Sequence, residues 1–300
     1  MKEINQHLQL LKVRLPYHES DHVLNIAYNV LVGGERLEDI ELRRQDESFL
    51  DGLGPQRIRD PTTAGDFTRR FDVQYITQLQ ESINRTRQRV WQQQPEGVLA
   101  EPFIDVDGTI AGTYGEGKGG MALSYKGIWG YAPLVVSLAN TKEVLYVVNR
   151  SGNATSHQDS VNWLNRAVAL VRPVAGRITL RGDTDFTRTA QLDGWDEALI
   201  NFILGMDAHP IVVQLAAGLS ERFWRPLERL PKYELLTEPR SRRERVKEQV
   251  VTQKGYLNQK LVAEHVSDMT YQPHHCGRKY RLVILRKSIS GQKGERVLFD

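Results

Sequence analysis

Residues 103–110 read FIDVDGTI, and their apolar and polar side chains alternate with the two-residue period of a half-buried β-strand. Two of the polar positions are Asp105 and Asp107. Residues two apart on a strand face the same way, so both carboxylates share one face of an otherwise apolar segment. Two acids converging there attract a cation. Read alone, such a pair more often merely caps or terminates its strand.

Working outward, LSYKGIWGYAPLVVSLA (123–139) is aromatic and β-branched, and EVLYVVN (143–149) is a nearly continuous apolar run, so three consecutive antiparallel strands are expected. Residues 157–171 then place Val161, Leu164, Ala167, Val168 and Val171 at helical spacing. Next come a short strand, RITLRGD (177–183), a helical turn, and another strand, ALINFILGM (198–206). This order predicts an α/β fold with a ribonuclease-H-like mixed sheet. In such a sheet the strand ending at Asp183 lies beside the first strand, and Asp183 is expected near Asp107. Together they could hold two Mg²⁺ ions about 4 Å apart, the arrangement that activates a water in phosphodiester displacement.

The front third is helical. Val23, Ile26, Ala27, Val30 and Leu31 fall on one helical face with Gly33 and Gly34 as a stop, and further helices are expected over 37–44, 63–71 and 73–94. From Pro210 the pattern changes again: IVVQLAAGL (211–219), an Arg-rich stretch, then strands such as YRLVILRK (280–287). The expected division is a helical region over 1–97, a core over 98–209, and a β-rich insertion over 210–300.

Composition constrains function less. Lys and Arg number 40 against 37 Asp and Glu, so net charge gives little warrant for a polyanionic partner. A single cysteine, Cys276, excludes an intramolecular disulfide framework and suits a reducing cytoplasm, and no stretch approaches the roughly 20 apolar residues of a membrane span. The loop GTYGEGKGG (112–120) has Gly119 where a phosphate loop needs Ser or Thr, and reads as a hairpin between strands. His274, His275 and Cys276 read as a surface turn, and Trp163 and Trp195 as core.

Six blocks in order carry a resemblance: residues 17–54, DPTTAGDFTRRF (60–71), DVDGT (105–109), SYKGIWGYAPL (124–134), RSGNATS (150–156) and LRGDTDF (180–186). They resemble bacterial insertion-sequence DDE transposases of the thirteen-eighty type. The resemblance implies that Asp107 is the first catalytic acid, with Asp105 the competing choice, and Asp183 the second. It also implies Mg²⁺, with Mn²⁺ as a substitute, and hydrolysis at the element's 3′ ends followed by attack on target DNA. Transposon-end and target DNA are the expected partners, with a homodimer among the expected assemblies.

The family's third acid is a Glu in the pattern Y-x₂-R-x₃-E-x₆-K. Glu244 has Arg240 at the right offset but Thr237 in place of Tyr and Val251 in place of Lys, so it is rejected and the third acid is expected beyond residue 300. That absence favours the alternative of a non-catalytic DNA-binding remnant or regulator; a ribonuclease-H-like nuclease, which would need its full set of acids within the core, ranks last. The basic residues Arg240, Arg242 and Arg243 are candidate phosphate contacts, against the reading of a solvated helix face.

Overall fold

The computed structural model describes residues 1–12, 16–54, 57–115, 117–229, 260–291 and 294–299. Five strands are linked by hydrogen bonds: β1 (Phe103–Gly108), β5 (Leu134–Leu138), β6 (Glu143–Val148), β7 (Ile178–Gly182) and β8 (Ile200–Leu204), in the order β6-β5-β1-β7-β8. Three further short strands fall between β1 and β5: β2 (Ala111–Gly112), β3 (Ala122–Leu123) and β4 (Trp129–Tyr131). β1, β5 and β6 form an antiparallel meander. At its start β7 runs parallel to the chain leading into β1, because Arg177 and Thr179 N–H donate to the carbonyls of Ala100 and Pro102, advancing two residues together. A meander followed by a helix and a parallel strand on the other side of β1 is the ribonuclease-H-like arrangement, and the expected mixed sheet is present. By density of contacts the chain divides within β7 into one unit of Met1–Thr155 with Asn162–Thr179 and another of Ser156–Val161 with Leu180–Asp300.

In the first unit the inward residues of the sheet are Ile104, Val106, Leu134, Val136 and Leu138, none more than 3% exposed. Their alternation is the pattern read from FIDVDGTI. Helix α7 (Ser160–Val171) adds buried Leu164, Ala167 and Val171 from within this unit. Helices α1 (Lys2–His7), α2 (Glu19–Leu31), α3 (Ile40–Arg44), α4 (Glu47–Leu53), α5 (Pro61–Thr68) and α6 (Val73–Gln92) make the front region. Asp60 caps α5, its carboxylate accepting from Thr63 N–H at 2.9 Å.

Strand β6 ends one side of the sheet order and would present unpaired backbone groups. Polar side chains of α6 satisfy them. Val147 N–H donates to Gln80 at 2.8 Å, Asn84 donates to the Leu145 carbonyl at 3.2 Å, and Arg87 donates to the Val144 carbonyl at 2.9 Å. Glu143 on β6 in turn accepts from Arg87 and from the Trp91 indole at 2.9 and 3.0 Å. A helix rich in polar residues is thereby fastened along a strand edge.

Three arginines of α6 divide by face. Arg85 and Arg89, four residues apart, share one and both bind Glu3 of α1, whereas Arg87 reaches Glu143. Their guanidiniums are committed to ion pairs within the fold. The same pairs hold the Glu3 carboxyl below its ordinary 4.5, chiefly through the hydrogen bonds from Arg85 and Arg89. A folded-state value below the unfolded one means the stabilisation is complete above about pH 4.5 and is lost as pH falls through the folded value. Glu3→Gln should therefore lower the melting temperature above pH 5, with the gap to the parent closing toward pH 3.

The segment expected as one long strand over 123–139 is broken. β2, β3 and β4 form a separate small sheet in the order β2-β4-β3, and β5 starts only after Pro133, which has no N–H to give to a ladder. The 112–120 loop accordingly joins the two outer strands of that sheet across β4 and is not a hairpin.

In the second unit, helix α8 (Leu192–Glu197) follows β7 and helix α9 (Pro210–Ala217) follows β8. Strands β9 (Arg225–Pro226), β10 (Lys260–Tyr271), β11 (Tyr280–Gly291) and β12 (Gly294–Phe299) then form a four-stranded antiparallel sheet of their own. Among the described residues no strand of this sheet pairs with the five-stranded one. The turn between β10 and β11 grips α8: Tyr280 hydroxyl and Gly277 N–H donate to Asp193, and Arg278 pairs with Asp196. Burial and that carboxylate push the Tyr280 phenol upward. His274 and His275 are exposed in this turn while Cys276 is buried, its thiol facing the Thr189 carbonyl at 3.2 Å. Trp163 and Trp195 are both buried, as expected.

Candidate functional site

Asp105 and Asp107 stand on β1 opposite Ser137 and Val135 of β5. The register puts both on the face away from Ile104 and Val106, and Asp107, at the end of the strand, is exposed while Asp105 is half-buried. Gly108 N–H donates to one Asp107 oxygen at 2.7 Å, which fixes the carboxylate at the strand end. Of the two, Asp107 has the open approach that a metal and a substrate need.

Asp183 belongs to the second unit. It ends β7 and caps the short helical turn Thr184–Phe186, accepting from Asp185 N–H at 3.0 Å. Phe186 is buried and anchors the turn, leaving Asp183 exposed. Asp185 is held differently, accepting from the Ser156 hydroxyl at 2.8 Å. Gly205 packs against this turn so tightly that a Cβ there would lie 2.6 Å from Thr184 N.

Carboxylate oxygens are the ligands Mg²⁺ prefers, and that ion is commonly held by one or two carboxylates with waters and substrate phosphate completing its shell. Exposed Asp107 and Asp183 fit that chemistry. Among the described residues no group of three His, Cys, Asp or Glu side chains is placed to hold a metal unaided. Arg240, Arg242, Arg243 and Glu244 lie outside the described residues.

An apolar cavity of about 540 Å³ in the second unit is lined by Phe202, Leu204, Val212, Tyr280 and Leu282 among others. Neither Asp107 nor Asp183 lines it, and among the described residues its only carboxylate is Asp207. No described helix is long and apolar enough to cross a membrane.

Sequence comparison matches residues 3–294 to the family described as transposase DDE domain group 1. The match does not reach the thirteen-eighty subtype. No curated protein matches significantly. Among solved structures, similarity is found to a piggyBac transposase synaptic complex with hairpin DNA, at 12% identity and a TM-score of 0.36, covering 94% of this chain and 56% of that one. The chain thus spans little more than half the length of that relative. The Mos1 strand transfer complex is similar at 8% identity and a TM-score of 0.25, over 70% of this chain and 68% of that one.

Proposed function

The chain belongs to the transposase DDE domain group 1 family, and from that premise we propose that it acts in DNA transposition, cutting at the ends of an insertion element and joining them to target DNA. Asp107 and Asp183 are the proposed acids. The observation that carries this reading is the match of the chain to this family over nearly its whole length, with one exposed carboxylate at the end of β1 and another directly after β7.

When bound, Mg²⁺ or Mn²⁺ would activate the attacking oxygen and stabilise the leaving one. The protein's own contribution is orientation: the Gly108 amide steadies Asp107, and the Asp185 amide steadies Asp183. Self-association as a dimer and phosphate contacts from Arg240, Arg242 and Arg243 are part of the same proposal, the latter carried by sequence alone.

A non-catalytic DNA-binding role is the second reading, favoured by the lack of a third metal ligand among the described residues. The test uses the purified chain, duplex DNA containing the inverted repeats that flank its reading frame, and Mg²⁺ or Mn²⁺. Affinity should fall steeply with salt, and 3′-end nicking should appear only with metal. Binding without nicking would favour the second reading, and no binding at low salt would overturn both.

A further inference from the structure

Where α2 meets α5 in the first unit, Tyr17, His22, Arg59, Asp66, Phe67 and Arg70 are among the described residues lining a cavity of about 190 Å³. That is below the roughly 300 Å³ at which pockets begin to enclose a drug-sized ligand, so it suits a small group. Packing fixes its wall. The His22 ring stacks on Phe67 with 4.6 Å between centroids and 15° between planes, and Tyr17 lies 6.5 Å from His22. The Arg59 guanidinium sits 4.0 Å over the Tyr17 ring, and Asn25 of α2 donates to the Arg59 carbonyl at 3.2 Å. Arg59, Tyr17, His22 and Phe67 are thus a continuous succession of contacts.

Two nitrogens of this wall, His22 Nδ1 and Arg59 Nε, are buried without a hydrogen-bond partner, and His22 as a whole is only 4% exposed. An unmade hydrogen bond on a buried group is strongly unfavourable, above all on a guanidinium. Neither Arg59 nor Arg70 forms an ion pair among the described residues. The nearby acids are engaged elsewhere: Asp66 pairs with Arg69 at 2.5 Å, and Asp60 accepts from the Thr63 N–H and hydroxyl at 2.9 and 2.7 Å. A cation is repelled from such a wall. Water would satisfy the two nitrogens but leave the guanidinium charge uncompensated, whereas an anion answers both. Among anions, a planar carboxylate matches the fork of one arginine. A tetrahedral phosphate presents oxygens in separate directions, to two guanidiniums and an imidazole at once.

We propose that this cavity is a phosphate site, in which Arg59 and Arg70 balance the charge of a phosphate group and His22 donates to one of its oxygens. The site stands apart from the transposition reading: it uses neither Asp107 nor Asp183, and it holds for phosphate of either origin, a DNA backbone or the free ion.

The full chain is titrated calorimetrically with inorganic phosphate at constant ionic strength, and by anisotropy with labelled duplex DNA. Arg59→Gln should lower phosphate affinity about 10- to 150-fold, the range for hydrogen bonds to a charged group. Arg70 is exposed, so Arg70→Ala should weaken binding with the circular-dichroism melt unchanged, and it carries the test if Arg59→Gln is unstable. The His22 ring gives a readout that a merely structural role would not move. In the free chain burial and Arg59 lower its pKa, Arg70 adds to this, and Asp21 and Glu19 oppose it. Bound phosphate offsets the two arginines, so the ring's titration by NMR, assigned by its absence in His22→Gln, should move upward in saturating phosphate. Duplex binding weakened in Arg59→Gln identifies a DNA backbone as the source, and loss confined to inorganic phosphate identifies the free ion; either supports the site. Phosphate and duplex affinities that match the parent in both arginine variants leave a water-filled cavity and overturn the inference. Acetate competing as well as phosphate assigns the cavity to a carboxylate and overturns it too. Phosphate bound by a chain that binds no duplex overturns the transposition reading alone.

Discussion

Asp107→Asn is expected to reduce metal-dependent DNA nicking by on the order of 100- to 1,000-fold, the loss typical when one preorganised stabilising group is removed from a reacting centre. The amide is close to the carboxylate in size and can still accept from Gly108 N–H. What it loses is charge, so a Mg²⁺ or Mn²⁺ ion there would keep more of its waters and lose the fixed geometry that in-line attack requires. Calorimetric titration with Mn²⁺ reports the same substitution without needing turnover, and should show weakened binding. Asp183→Asn should behave alike, and the double variant should lose little more than either single one, because the two are proposed to serve one centre. Unchanged nicking and unchanged Mn²⁺ affinity in Asp107→Asn would remove Asp107 from the reaction and return Asp105 as the first acid.

The elements that sequence predicts well are those whose burial follows a simple period. β1 alternates because one face meets a core, and α7 shows an apolar stripe because a core lies against it; the apolar face read for α2 holds only in part, since Val23 and Ile26 are partly buried against a core while Val30 and Leu31 are exposed and the helix buries Glu19, Ser20, His22, Asn25 and Asn29 instead. Other features depend on partners far along the chain. The polar face of α6 is opaque to a search for apolar stripes, yet Ser82 and Asn84 are buried and Gln80, Asn84 and Arg87 close the edge of β6, some 60 residues away. The run from Leu123 to Ala139 has strand-forming residues throughout, and composition alone gives no reason to divide it. The division comes from the backbone approach at Gly130 and the missing donor at Pro133, of which the sequence shows only the residue types.

The site was legible to a similar depth. That Asp105 and Asp107 share a face follows from the strand period, and that Asp107 is the more open follows only once β1 is seen to end at Gly108. The role of Asp183 as a cap of the turn after β7 is a local consequence of Asp followed by Thr-Asp-Phe. Completion of a metal shell depends on side chains brought together from distant segments, which no local pattern encodes.

The face assignment of β1 makes a prediction about stability that separates the strand's two sides. Ile104 is fully buried and lies directly opposite Leu138, and Val106 lies opposite Val136, so this face of the β1–β5 ladder is continuous core. Truncating Ile104 to Ala removes the transfer energy of its outer carbons and leaves a cavity that close-packed neighbours cannot fill, at a cost of about 2–5 kcal/mol. Asp107, one strand position from the solvent end, is exposed, and its replacement by Asn should shift stability by no more than about 0.5 kcal/mol. A slip of one residue in the register would reverse the two sides, sending the carboxylates inward and Ile104 out. Urea denaturation of the three proteins decides between these arrangements. The expected result is a much lower midpoint for Ile104→Ala with an unchanged slope, beside an Asp107→Asn curve that overlays the parent; comparable losses in both would mean that the carboxylate face is buried and that Asp107 cannot present itself to a metal and a DNA strand.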